Sequence, residues 1–143
     1  MTSLKIKAHL NAAKGYAKLS KAKRLKVCAL IIRDDRPTVN GLNGMPPGGS
    51  NVCEEYVQDG PLTELVTKPE VSHAEANAIC WAAKNGTATN GAIMVTTHSP
   101  CFNCAKLIKN AGITEVYYET EYRLTDSLDF LRKNNVKVTK IGD

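Results

Sequence analysis

Three side chains able to hold a soft divalent metal, with one carboxylate beside them, stand out in this chain. They are His73 and Glu75 within Ser72-His73-Ala74-Glu75, and Cys101 and Cys104 within Pro100-Cys101-Phe102-Asn103-Cys104. Zinc accepts imidazole nitrogen and thiolate sulfur, and a zinc site that does chemistry keeps three protein ligands and leaves the fourth position to water. His73, Cys101 and Cys104 make such a set. Two thiolates offset the charge of the cation, so its water is acidified less than by three neutral imidazoles, and a nearby base becomes useful. Glu75, two residues beyond His73, can face that water without binding the metal. H-x-E followed by P-C-x-x-C is the arrangement used for hydrolytic removal of an amino group from a nucleobase.

Glu75 also has a structural reading. Ser72-His73-Ala74-Glu75 has the form of a capping box that opens a helix running to about Lys84. A second helix is predicted from Cys101, after Pro100. Both ligand groups then sit at helix N-termini, where the positive end of the dipole favours thiolate and carboxylate. The competing arrangement is a closed structural zinc site with Cys80, Cys53 or His98 as fourth ligand, which leaves Glu75 without a role.

The elements that must position these residues follow from periodicity. Ser3 is a candidate cap for a first helix with Ile6, Leu10, Ala13 and Ala17 on one stripe among lysines. Val27 to Ile32 reads as a strand, Asp34 to Pro37 as a turn, and Thr38 to Leu42 as a second strand. Gly44-Met45-Pro46-Pro47-Gly48-Gly49-Ser50 is a loop. Residues 51–57 suggest a short helix, and 60–71, with two prolines, a surface insertion. Beyond the helix that ends at Asn85-Gly86, strands are predicted at 92–97, 115–119 and 136–141, with helices at 101–110 and 125–134. This alternation implies right-handed crossovers and parallel pairing in the second half.

A chain of 143 residues forms one domain, 1–143, with a core large enough to need no disulfides. The five cysteines leave Cys28, Cys53 and Cys80 beyond the metal pair, an odd set that suits reduced thiols and a cytoplasmic location. No apolar run is long enough to cross a membrane, and the N-terminus lacks a secretory signal pattern. The net charge of +5 is uneven: residues 1–33 hold nine Lys or Arg and no Asp or Glu. Arg24 and Lys26 are candidates for holding phosphate, while Lys5, Lys7, Lys14 and Lys18 read as a solvated helix face.

The chain resembles the cytidine and deoxycytidylate deaminase superfamily, in particular its nucleotide-level branch, the deoxycytidylate (dCMP) deaminases of eukaryotes and tailed phages. The resemblance covers residue 20 to the end. It rests on the segment from Asn40 to Gly49, on His73-Ala74-Glu75-Ala76-Asn77-Ala78-Ile79, on Ser99 to Ile108, and on Ala111-Gly112-Ile113-Thr114-Glu115-Val116. It implies a three-layer α-β-α fold with a central mixed five-stranded sheet and helices on both faces. One zinc ion per chain is implied, with Mg2+ accompanying a nucleotide effector. Asn43 is implied to hold the deoxyribose, backbone around Ala74 and Ser99 to read the cytosine edge, and Tyr122, Arg123 or the basic segment to hold phosphate. The implied reaction has Glu75 take a proton from the water, give it to N3 as C4 is attacked, and pass a proton to the amino group, which leaves as ammonia.

Effectors dCTP and dTTP acting through Gly48, Gly49 and Lys84 at subunit contacts, and a homo-oligomer with a hexamer favoured, are further implications. Leu42 stands where relatives often carry an aromatic residue. Ala22-Lys23 replaces the cysteine pair of a second zinc site. Trp81 and Phe102 are expected to pack rather than stack on a base. Other classes fit the same motif. A free cytidine or deoxycytidine deaminase needs no phosphate site. A polynucleotide deaminase would use the basic segment as a track and flip its base, though nucleic acid is disfavoured by the Asn-Gly-Met-Pro loop. A noncatalytic zinc module would leave Glu75 as a helix cap only.

Overall fold

The computed structural model describes residues 1–122 and 124–142, so Arg123, named above for phosphate, lies outside the described residues. Five strands form one sheet in the order β2-β1-β5-β6-β7: β1 Cys28–Arg33, β2 Arg36–Leu42, β5 Ile93–His98, β6 Glu115–Thr120 and β7 Lys137–Lys140. β1 runs antiparallel to both neighbours, while β5, β6 and β7 are parallel, so the sheet is mixed. The parallel half follows from its connections: α3 (Phe102–Asn110) and α4 (Asp126–Lys133) each carry the chain back across the sheet between neighbouring strands.

Period-2 alternation splits the core into two layers. Cys28, Leu30 and Ile32 of β1, with Val95 and Tyr117, meet Leu10, Ala13 and Ala17 of α1 (Ser3–Ala17). Ala29, Ile31, Met94, Val116 and Tyr118 face the other way, against α2 (Ala74–Asn85), α3 and α4. The α-β-α layering and the five-stranded mixed sheet agree with the sequence expectation. Tyr118 belongs to the core.

Local differences have physical causes. α1 is capped by Thr2, whose hydroxyl accepts the Lys5 N–H at 3.3 Å, so Ser3 is the first helical residue rather than the cap. β2 begins at Arg36 rather than Thr38, because Asp34 (φ 52°) and Asp35 (φ 59°) close a two-residue turn. Pro37 is tolerated there because β2 is an edge strand. The segment expected as a short helix and insertion forms a separate two-stranded hairpin, β3 Glu54–Asp59 and β4 Leu62–Thr67. Asp59 pairs with Leu62 across Gly60-Pro61, with Gly60 at φ 60°, which is the glycine-first pattern of a two-residue hairpin loop.

β2 and α2 touch at Gly41. A Cβ at this position would collide with the carbonyl oxygen of Ala74 and lie 2.7 Å from the Ala78 Cβ. Next to it, the Asn77 side-chain amide donates to the Leu42 carbonyl. Gly41→Ala must therefore push the start of α2 off the sheet, at a cost of about 1–3 kcal/mol. We expect a fall in Tm of roughly 3–10 °C in a thermal melt at fixed zinc. An unchanged Tm would contradict the contact.

Candidate functional site

Two helix starts converge here. α2 begins at Ala74 with His73 as its N-cap, and α3 begins at Phe102 with Cys101 as its N-cap. The capping box predicted at Ser72 does not form. Ser72 instead pairs with Gly44 as an isolated antiparallel bridge, its N–H donating to Gly44 O at 2.9 Å, so the helix opens one residue later. Glu75 is thereby released from capping. At the other start the Cys101 sulfur accepts the Cys104 N–H at 3.4 Å. The turn before it is pinned from α4, where the buried Ser127 hydroxyl donates to Pro100 O at 2.7 Å. Ser127 carried no sequence signal, because its partner is 27 residues away.

His73 Nδ1 lies 3.4 Å from Cys101 Sγ and 3.6 Å from Cys104 Sγ, and the three ligand atoms all lie within 4.8 Å of one another. With Zn–S near 2.3 Å and Zn–N near 2.05 Å, a tetrahedral ion holds sulfur and nitrogen ~3.5 Å apart. The cluster fits zinc. Among the described residues no fourth His, Cys, Asp or Glu joins it. Cys53 is buried with its thiol on Asn51 O, Cys80 is exposed, and His98 Nδ1 is paired with the Thr97 hydroxyl at 2.8 Å. Among the described residues three side chains are placed to ligate a metal, the number an open zinc site uses.

Glu75 is 4% exposed, and burial pushes its carboxyl up to about 7, against the opposing pull of the Cys104 thiol and the His73 ring. The two thiols split. Hydrogen bonds from Cys104 and His73 bring Cys101 down to about 4, making it the thiolate. The same hydrogen bond, with burial, raises Cys104, which keeps its proton. The Cys101 thiolate in turn raises His73.

His73, Ala74 and Glu75 line a cavity of about 410 Å³ that is also walled by Arg24, Asn43, Glu54 and Tyr122. Most of the predicted substrate residues are therefore brought together. Arg24 reaches the cavity, whereas Lys26 does not line it and donates instead to Ser20 O at 2.8 Å. Ser99 is fully buried behind it, its hydroxyl accepting the Tyr122 N–H at 2.8 Å. Tyr122 stacks on His98 with ring centroids 5.8 Å apart, and burial beside Glu75 pushes its phenol up to about 12. Gly48 and Gly49 sit in an exposed turn, and Lys84 lies in the last turn of α2, roughly 15 Å along the helix from Ala74; none lines the cavity. Phe102 packs on Phe130 at 5.1 Å, but Trp81 is 56% exposed and has not packed as expected.

Glu54 was not anticipated. It is 7% exposed at the start of β3, and its Oε2 accepts the Lys23 N–H at 2.7 Å and the Arg24 N–H at 3.0 Å. These bonds, led by Arg24, hold its carboxyl below the usual range.

The chain matches the family model of the cytidine and deoxycytidylate deaminase zinc-binding region over residues 4–120. It is 33% identical over 138 residues to the deoxycytidylate deaminase of Enterobacteria phage T4, covering 72% of this chain and 71% of that one. It is 41% identical over 100 residues to ComE operon protein 2 of Bacillus subtilis (strain 168), covering 70% of this chain but spanning only 51% of that protein. The crystal structure of dCMP deaminase from the cyanophage S-TIM5 in complex with dCMP and dUMP superposes with a TM-score of 0.88 at 38% identity, covering 98% of both chains.

Because Cys104 keeps its proton in the metal-free site and the hydrogen bond with Cys101 raises His73, zinc must displace at least the thiol proton. Loading near neutral pH is expected to release on the order of one to two protons per chain, with apparent affinity rising as pH rises. Titration calorimetry in two buffers of different ionisation enthalpy measures this, and zinc uptake without proton release would contradict the ligand set. Cys104→Ala should lose most of its zinc by metal analysis.

Proposed function

This chain belongs to the cytidine and deoxycytidylate deaminase family, and from that premise we propose that residues 1–143 form one deaminase domain that hydrolyses dCMP to dUMP and ammonia. The observation that carries the reading is the placement of buried Glu75 and the ligand His73 on one cavity with Arg24 and Asn43. The cyanophage enzyme, solved with dCMP and dUMP, supports the choice of nucleotide.

In this reading His73, Cys101 and Cys104 hold zinc, which when bound supplies an acidified water and a Lewis acid for attack at C4. Glu75, poised by burial near neutrality, would take a proton from the attacking water and deliver it to ring N3. It would then carry the proton of the newly formed C4 hydroxyl to the amino nitrogen, which leaves as ammonia, so that Glu75 alternates as base and acid. Ala74 and Ser99 position the base through their backbone, Tyr122 closes one wall, and Asn43 holds the sugar. Arg24 meets the 5′-phosphate at the basic side of the cavity.

The proposal includes a cytoplasmic enzyme assembled as a homo-oligomer, hexameric in the first instance, with dCTP and dTTP as effectors near Gly48, Gly49 and Lys84. Exposed Trp81, Phe102 and Leu107 on α2 and α3 supply apolar surface for subunit contacts. No described helix is long and apolar enough to cross a membrane.

Ammonia release by the zinc-loaded protein, with dCMP, deoxycytidine, CMP and dCTP in parallel, tests the substrate. A preference for dCMP is expected; equal rates on deoxycytidine would transfer the activity to nucleosides. Glu75→Gln should keep its zinc and lose roughly 10²- to 10⁴-fold in kcat. Near-normal turnover in that variant would remove Glu75 from the mechanism.

A further inference from the structure

Tyr122 lines the cavity beside Glu75, yet little fixes its ring. Its backbone N–H is tied to the Ser99 hydroxyl at 2.8 Å, which leaves the side chain free to choose among rotamers. Its phenol oxygen makes no hydrogen bond among the described residues. What does meet the ring is His98, at the end of β5, with centroids 5.8 Å and planes 27° apart. An offset pair of this kind sets where the phenol stands. The pose of the wall therefore depends on the pose of the imidazole.

His98 is itself fixed by hydrogen-bond arithmetic. Thr97 Oγ1 accepts the Cys28 N–H at 3.2 Å and lies 2.8 Å from His98 Nδ1. Thr97 is 4% exposed, and its hydroxyl has no other acceptor among the described residues. A hydroxyl has one hydrogen, so this one goes to Nδ1, and the imidazole carries its own proton on Nε2. A second proton, on Nδ1, would turn two N–H groups onto one oxygen and leave a buried hydroxyl hydrogen without an acceptor. His98 also borders a hollow of about 250 Å³ lined by Lys14 and Lys18 on the α1 side, Lys26, and Glu119 of β6. Glu119 is already held by Lys14 at 3.1 Å, so these surroundings too disfavour a further cation. Burial lowers the imidazole in the same direction, against the pull of Glu119.

We infer that His98 is a positioning residue for substrate binding: a neutral imidazole, oriented by Thr97, that holds the Tyr122 ring against the cavity. This rests on the dCMP reading, in which Tyr122 closes one wall around the nucleotide. The support runs from the sheet outward: the Cys28 N–H of β1 fixes the Thr97 hydroxyl, the hydroxyl fixes the imidazole, and the imidazole fixes the phenol. A ring turned over at χ2 would set a C–H against the hydroxyl and lose that bond. His98 does not line the cavity. Its effect passes through Tyr122 and falls on substrate binding, not on the proton transfers of Glu75.

Nitrogen-15 spectra of the imidazoles in the zinc-loaded chain test the tautomer, with the His98 signals identified by their loss in His98→Phe. Nδ1 should appear as an acceptor nitrogen and Nε2 as N–H, unchanged between about pH 5.5 and 7.5, where a free imidazole takes up its proton. Kinetics with dCMP test the positioning. His98→Ala should raise KM roughly 3- to 10-fold, the worth of one aromatic pair, with kcat per bound zinc held within about twofold. His98→Phe keeps an aromatic ring and should return KM to within about twofold of wild type. KM does not depend on how much of the protein folds, so loss of material cannot imitate this result. A proton on Nδ1, an unchanged KM in His98→Ala, or a KM that His98→Phe fails to restore would overturn the inference while leaving dCMP as substrate. No turnover of dCMP by wild type would overturn both.

Discussion

The contact between the Gly41 backbone and the first turn of α2 is the constraint on which the site depends. Because no side chain separates strand from helix there, Ala74 and Ala78 can lie against β2, and the residue before them is brought to the end of the sheet. Two further ties fix the helix in register: Asn77 to the Leu42 carbonyl, and the bridge between Gly44 and Ser72. The bridge has a chemical consequence. Ser72 is held extended, the helix starts at Ala74, and Glu75, which could have capped the helix, faces inward instead. The motif is thus left free for the proposed roles of ligand and acid-base group, because a residue 28 positions upstream removes the competing cap.

Electrostatics at the paired helix starts then separates groups of like chemistry. Cys101 and Cys104 are three residues apart, yet Cys101 is stabilised as thiolate by hydrogen bonds from Cys104 and His73, while the hydrogen bond to Cys101, with burial, keeps the proton on Cys104. Positive helix ends favour the anion at the more exposed position. Glu75 is handled the opposite way: burial dominates and lifts it toward neutrality, where a group can both take and return a proton. In the proposed reaction this leaves one anion ready for metal and one acid able to move protons, at the same two helix N-termini.

What was legible in the sequence was local. His73, Glu75, Cys101 and Cys104 lie on short spacings whose chemistry needs no knowledge of the rest of the chain, and the alternation after Ser72 gave the parallel half of the sheet. What was missed depends on partners distant in sequence. Ser72 looks like a cap until Gly44 is seen, Glu54 looks like a surface acid until the Lys23 and Arg24 N–H groups close on it, and Lys26 looks like a phosphate ligand until Ser20 takes it. The β3-β4 hairpin was masked by Pro61, although Asp59-Gly60 just before it is a strong turn signal.

That hairpin separates the two ends of the cavity by stability. A lone two-stranded hairpin is marginal in water, and here β3 and β4 are exposed over most of their length apart from Glu54. Its anchors at the base are the Glu54 carboxylate on the loop after α1 and the Lys68 N–H on Cys53 O at 2.8 Å. The end with His73, Cys101 and Cys104 stands on the central sheet and two packed helices, whereas the wall at Asn43 and Glu54 hangs on the hydrogen bonds of these two side chains to residues 20–27. Rigid placement is needed where bonds are made and broken. A wall held by two polar side chains can be altered without touching Gly41, Ala74 or the three candidate zinc ligands, so in the proposed reading substrate choice is free to change while the chemistry is kept.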